Sequence, residues 1–267
     1  MLKKPSARSV WGCSLQLGRM QRQCEPQEAL DPLQRALGLS PGFSFAQFRS
    51  RSPLNADSVW HVLLERHQQR LTVKRLDKAQ DNLRRLFEAT FRLANKVGFA
   101  SMTLRDLSQA TGLSMGGLYG YINSKDDIAA MIEDMVRLLI HTSAHWFTDL
   151  ADPQQRLVAA LRGHAFMTEQ LQPWFYFVFM ESRMLSESQR QVAKSAELQF
   201  QENLCAFIQA AGVTDSPTAR MLAIHSAALL QDWVIKRWKY RQLGIPIETF
   251  ADSVASLVLQ RVSSLAP

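Results

Sequence analysis

Thr103-Leu104-Arg105-Asp106-Leu107, followed by Gly112-Leu113-Ser114-Met115-Gly116-Gly117-Leu118-Tyr119-Gly120-Tyr121-Ile122-Asn123-Ser124-Lys125-Asp126-Asp127-Ile128, is the stretch that decides how this chain folds. Thr103 with Asp106 three positions later is a capping-box pair, so a helix starts there and turns Leu104, Leu107 and Ala110 inward. Gly112 ends it, because a helix terminus favours a residue that tolerates left-handed backbone. Ser114 can cap a short helix running through Ile122, and Ser124 caps the next, with Asp127 at its third position. A helix, a glycine-bearing turn and a short second helix make up the layout of a helix-turn-helix. In that motif the second helix lies in the major groove of DNA.

The residue types suit that task. Thr103 and Ser114 are helix N-caps, and the N–H groups that helix starts leave unpaired bind phosphate. Gly116 and Gly117 remove side chains where backbone would approach a duplex. Tyr119 and Tyr121 offer hydroxyls, and Lys125 and Arg105 offer positive charge. Met115 and Tyr121 are the candidates for base-edge contact, Met115 through apolar contact with a thymine methyl. The expected DNA-binding set is therefore Thr103, Arg105, Ser114, Met115, Gly116, Gly117, Tyr119, Tyr121 and Lys125.

This stretch closely resembles the signature of the TetR (tetracycline-repressor) family, Ser-x-Gly-x-Leu-Tyr-x-Tyr/His-Phe followed by Ser-Lys-Glu/Asp-x-Leu/Ile. Ile122 stands where the family has Phe, an apolar exchange that touches packing rather than DNA contact. The resemblance covers about residues 77–130. It implies a three-helix DNA-reading head at 77–125 and a helical ligand-binding and dimerisation domain at 126–267. It also implies a homodimer on a pseudo-palindromic operator, most often acting as a repressor, with no cofactor. Residues 1–76 lie outside the usual family plan.

Working outward, Leu83, Leu86, Phe87, Thr90, Phe91, Ala94 and Val97 recur at helical spacing and stop at Gly98, which places one more helix before the motif. After it, Ile128, Met131, Ile132, Met135, Leu139, Thr142 and Trp146 continue a single stripe. Asp152-Pro153, Gln172-Pro173 and Ser216-Pro217 set a polar residue before a proline at a helix start. Ser186 and Gln189 form another capping box, Gly212 and Gly244 stop helices of 187–211 and 217–242, and a last helix runs from Pro246 to about Leu265. No stretch alternates well enough for a sheet, so the fold class is all-α. Residues 1–53, with Pro5, Pro26, Pro32, Pro41 and Pro53, read as irregular apart from short turns near 27–37 and 44–49. Asn55 can cap a helix containing Val59, Val62, Leu63 and Arg66.

Charge falls at the front of the chain. The net charge is +7, and residues 1–76 alone carry 12 Lys or Arg against 5 Asp or Glu, so the remainder is neutral. One basic end suits a polyanionic partner. The segment containing Arg66, Arg70, Lys74 and Arg75 is accordingly expected either to serve as an auxiliary DNA-affinity arm or to pack on the body through Val59, Trp60, Leu63 and Leu64. Hydrophobic residues make up 46% of the chain, enough for a large core. No run is long and apolar enough to span a bilayer, and no signal-peptide core is present. The three cysteines, Cys13, Cys24 and Cys205, form no CxxC pair. A cytoplasmic protein without membrane contact is the expectation.

Other constellations weigh less. His141, His145 and Asp149 lie four apart and could present zinc ligands on one helical face, with His164 joining, but they read better as a polar surface. Trp174-Phe175-Tyr176-Phe177-Val178-Phe179-Met180 is apolar all round, which makes its helix central. It can line a cavity for an apolar effector such as an acyl chain or acyl-CoA, with Phe175 and Phe179 as walls and Glu181, Arg183, His225 and Asp232 as polar groups that orient the ligand. No P-loop, GxGxxG, HExxH or GxSxG motif supports catalysis, so the chain is not expected to be an enzyme. The rival reading is a small-molecule or protein-binding helical module in which the DNA-reading head is secondary.

Overall fold

The computed structural model describes residues 32–72, 76–182 and 185–265, without the side chains of Leu76 and Asp77. Twelve α-helices and two short 3-10 turns, Pro32–Gln34 and Gln68–Arg70, account for the regular structure of those residues, and no strand is present among them. The chain is all-α.

The head is built from α3 (Leu76–Val97), α4 (Leu104–Thr111) and α5 (Met115–Tyr119). Helix α3 ends at Gly98 and α4 at Gly112, both with positive φ (82° and 69°), as their residue type requires. The capping box of α4 is formed in full: Asp106 N donates to Thr103 Oγ1 at 3.1 Å, and Thr103 N donates to Asp106 Oδ2 at 2.8 Å. Leu83, Leu86, Phe87, Leu107 and Leu118 are fully buried and weld the three helices together.

Helix α6 (Lys125–Ser143) leads from the head into a bundle made of α7 (Pro153–Gln170), α8 (Gln172–Glu181), α9 (Glu187–Ala210), α10 (Ser216–Ile235), α11 (Arg237–Gln242) and α12 (Ile247–Leu265). Helix α7 packs along α12, while α9 packs between α6 and α10. Two helices are shorter than the sequence pattern suggests. The stripe expected to run to Trp146 stops at Ser143, and Trp146 turns inward to become the largest fully buried side chain. The helix expected over 217–242 breaks at Lys236. There the Asp232 carboxylate is met by Lys236 at 3.0 Å and Lys239 at 2.6 Å, so charge pairing closes a tight corner. Gly163 on α7 has a packing reason: a Cβ there would lie 2.6 Å from the Phe147 ring.

The leading segment is where the structure departs most from a loose basic arm. Helix α1 (Phe45–Arg51) and α2 (Ser58–His67) are part of the body. Leu37, Leu39, Phe43, Phe48, Leu54, Val59, Trp60 and Leu63 are all buried in the common core. Phe43 and Phe48 stack among Trp146, Phe147 and Phe166. Buried backbone groups need partners, and here they find them across the chain. Leu37 N donates to Trp146 O at 2.9 Å, Trp146 Nε1 to Leu33 O at 2.9 Å, and Arg162 to Phe43 O at 2.7 Å. At the other end of the segment, Arg66 and His67 reach Asp134 on α6, at 2.6 and 3.3 Å. Burial would raise the Asp134 carboxyl, but hydrogen bonds from His67, Arg66 and Arg137 outweigh it and hold the group well below the ordinary carboxylate range. Residues 32–71 therefore strap the body, as in the packing alternative. Residues 1–31, Lys74 and Arg75, and with them the N-terminal part of the turn expected near 27–37, lie outside the described residues.

Candidate DNA-reading head and effector cavity

The turn between α4 and α5 is short because Ser114 Oγ accepts from Gly117 N at 3.1 Å and so starts α5 at once. A Cβ at Gly116 would point into open space, so at that position the backbone itself forms the outer surface of α5. Tyr119 is 49% exposed. Thr103, Arg105 and Ser114 are exposed as well, and Met115 is half-buried beside them. Seven of the nine residues expected to meet DNA are thus exposed or half-buried at the starts of α4 and α5 and along the short helix. The Thr103 hydroxyl is committed to Asp106, so what it can offer a phosphate is the N–H groups at the start of α4.

Two residues of the set sit differently. Helix α5 ends at Tyr119, so Tyr121 falls beyond it and turns in: it is 7% exposed, and its hydroxyl accepts from Asn82 Nδ2 at 2.9 Å. It joins the recognition element to α3 and does not face a base edge. Lys125 Nζ donates to Phe99 O at 2.9 Å and Ala100 O at 2.8 Å and lies 5.3 Å from the centroid of the Phe99 ring. The ammonium thereby fastens the start of α6 to the loop after α3, which leaves one of its three donors unspent. Periodicity cannot show either arrangement, since both depend on where helices end relative to a neighbour.

In the bundle, a cavity of about 290 Å³ lies between α6, α7, α8, α9 and α10. Phe175, Val178 and Phe179 of α8 form one wall and Val136 and Ile140 of α6 another. His164 and Phe200 line one end and Ser182, Arg190 and Lys194 the other, with Glu197 and Gln231 as further polar lining. Of the expected ligand set, Phe175 and Phe179 line this space. Glu181 instead accepts from Phe99 N at 3.2 Å, at the junction with the head. Asp232 is occupied with Lys239, Lys236 and Tyr240, His225 is exposed on α10, and Arg183 lies outside the described residues. His141 and His145 stay side by side, with ring centroids 5.9 Å apart, but α6 ends at Ser143 before Asp149, and no group of three or more metal-ligating side chains stands together among the described residues. The sequence reading missed Phe200 and Lys194 and weighed His164 only as a metal ligand, although a histidine in the apolar run of α7 was a visible signal.

The head's geometry has counterparts among known proteins. The family model described as "Bacterial regulatory proteins, tetR family" matches residues 86–132, from within α3 into α6. Over that stretch the chain carries the TetR-family pattern. The matched head has the helix-turn-helix layout, and about two thirds of the chain shares its fold with solved TetR-family regulators. The TetR-family regulator PfmR from Thermus thermophilus is 22% identical, with a TM-score of 0.57 over 66% of this chain and 97% of that one. AibR, solved with isovaleryl coenzyme A and operator DNA, is 18% identical, with a TM-score of 0.55 over 66% of this chain and 97% of that one. FadR from Bacillus subtilis, solved with stearoyl-CoA, is 13% identical, with a TM-score of 0.51 over 66% and 97%. No curated protein sequence matched the chain. No described helix is long and apolar enough to cross a membrane.

Proposed function

We propose that this chain is a repressor that binds a pseudo-palindromic operator as a homodimer and lets go when an amphiphilic effector, an acyl-CoA in the first instance, fills the bundle cavity. The observation that carries the reading is the double role of α8. One side of this ten-residue helix, with Phe175, Val178 and Phe179, lines the cavity. The other side meets the head: Trp174 stacks on Phe87 with ring centroids 5.5 Å apart, and Phe177 packs edge-on against Phe99 at 5.0 Å. Glu181 holds the loop after α3. A molecule in the cavity therefore acts on the element that seats the head. Differential affinity for two settings of α8 shifts their populations and with them the spacing of the reading heads.

Dimerisation has a surface to use. Met221, Ile224 and Leu229 on α10 are exposed and fall on one stripe with His225, and Leu257 is exposed on α12, which packs beside α10. Two copies of this pair would form a four-helix interface and set two recognition helices about 34–36 Å apart. The complexes named for AibR and B. subtilis FadR support an acyl-CoA as effector; the apolar walls suit its chain and Lys194 can meet its anionic head, while Arg190 is engaged by Glu187 and Glu197 also lines the space.

The test is retention of genomic fragments by the full chain at several salt concentrations, with and without acyl-CoAs of graded length. A specific fragment, an affinity that falls steeply with salt, and release by one chain-length class are expected. Salt-insensitive binding with no preferred fragment would overturn the reading in favour of a binding module whose head is secondary.

A further inference from the structure

Helix α5 has five residues, two of them glycine, and so short a helix does not hold its own setting. Contacts that read bases need that setting kept within about 0.5 Å and 10–20°. What fixes it lies outside the helix. Leu118 is fully buried beneath it, and the Tyr121 hydroxyl accepts from Asn82 of α3. A helix end also leaves carbonyls open. Gly120 O, the first beyond α5, accepts from Thr72 N at 3.0 Å. That donor comes from the leading segment, outside the helix-turn-helix.

The donor is itself held. Arg66 makes two bonds to the Asp134 carboxylate of α6, at 2.6 and 2.8 Å, and His67 meets it at 3.3 Å. Gln68–Arg70 then forms a 3-10 turn, closed by Leu71 N donating to Gln68 O at 3.1 Å. Leu71 packs on the core. Four residues separate His67 from Thr72 and three of them are in that turn, so the linkage has little slack. The end of the recognition helix is thereby tied to α6 through a short, hydrogen-bonded piece of the strap.

We propose that residues 66–72 are a positioning element of the DNA-reading head: anchored on α6 through Asp134, they hold the end of the recognition helix through the Thr72 N–H and so sharpen its discrimination between DNA sequences. This rests on the head binding DNA, and the experiment separates the two. Duplexes are selected by the full chain from a random pool of ~30 base pairs, long enough for two half-sites one DNA turn apart. Affinities for a selected duplex and for the unselected pool are then measured at several salt concentrations. Thr72→Pro removes the donor. Thr72 is exposed, and Leu71 before it is extended (φ −84°, ψ 132°), a conformation that proline accepts in its predecessor. The variant is expected to bind the selected duplex about tenfold more weakly, a loss typical of one well-placed hydrogen bond. Its affinity for the pool, the salt slope and the melting temperature are expected to stay as they are, because no cation and no buried group is removed. Thr72→Ala keeps the N–H and is expected to match the wild type. One glycine inserted between Arg70 and Leu71 slackens the linkage and is expected to repeat the selective loss.

Wild-type affinity for the selected duplex in a folded Thr72→Pro chain would overturn the positioning role, as would a Thr72→Ala variant equally weakened. A parallel fall on selected duplex and pool would overturn it in favour of a phosphate contact. If the proline variant does not fold, the glycine insertion decides by the same ratio, and loss of folding in both would leave the segment a purely structural role and overturn the proposal. A wild type that selects no duplex from the pool would overturn the DNA-reading function and the proposal together.

Discussion

Phe48→Ala tests whether the leading segment belongs to the body. The ring is fully buried, with neighbouring ring centroids at 6.1 Å (Phe43), 5.8 Å (Trp146) and 6.0 Å (Phe166). Truncating a phenylalanine in such a place costs about 3–5 kcal/mol, because the neighbours, themselves held by hydrogen bonds and by the α7 backbone, cannot collapse into the hole. For a domain of this size each kcal/mol moves the melting temperature by about 2–4 °C, so a fall of roughly 10 °C is expected. Circular dichroism melts at fixed protein concentration measure it. The companion truncations sharpen the test. Deleting residues 1–54 removes the buried Leu37, Leu39, Phe43, Phe48 and Leu54, at about 1.5–3 kcal/mol each. Their combined loss rivals the whole stability of a typical domain, about 5–15 kcal/mol. That truncated chain is expected to be insoluble or molten, whereas deleting residues 1–31 spares all five side chains. A soluble 1–54 deletion melting within ~2 °C of the intact chain would refute the packing and restore the detachable arm.

Four further outcomes follow from the same geometry. Tyr119→Phe removes an exposed hydroxyl on the reading face and is expected to weaken DNA binding evenly across sequences in electrophoretic shifts, with the melting temperature unchanged; a change of base preference at one position would contradict that role. Lys125→Ala breaks two hydrogen bonds to carbonyls, at 2.9 and 2.8 Å, and is expected to cost about 1–3 kcal/mol in urea denaturation, so a stable variant with weaker DNA binding would show that phosphate contact is its main task. Glu133 is 4% exposed, and burial, only partly opposed by Arg137, lifts its carboxyl from 4.5 to about 7. The folded chain then holds this proton more tightly than the unfolded one and loses stability as pH climbs through that window, so Glu133→Gln is expected to melt a few degrees above the wild type at pH 8 and level with it at pH 4.5; an equal difference at both would refute the assignment. Ile224→Glu puts a charge on the exposed α10 stripe and is expected to give a folded monomer in sedimentation, against a dimeric wild type; an undisturbed dimer would place the interface elsewhere.

What could be read in the chain alone were features whose cause is local. Thr103 with Asp106, Ser114, Ser124 with Asp127, Gly98 and Gly112 act within one helical turn, so the head's helices begin and end where those residues stand. The apolar run of α8 announced a helix buried on several sides for the same kind of reason. Capping and periodicity do not say what a side chain meets across space. Tyr121 and Lys125 keep their places in the motif, yet one turns in to Asn82 and the other is spent on the carbonyls of Phe99 and Ala100. Trp146 leaves its stripe because the helix stops one turn early and the leading segment supplies its partners.

The sequence by itself determined the helical punctuation, the reading head and its family signature, because each is written in residues a few positions apart. Only the tertiary structure decided that residues 32–71 are strap rather than arm. It also decided that α8 joins cavity to head, and that the His164 ring lines the cavity, stacked on Phe200. Those features rest on contacts between residues far apart in the chain. A composition rich in arginine and proline does not reveal the few buried phenylalanines and leucines that overrule it once a complementary surface is within reach.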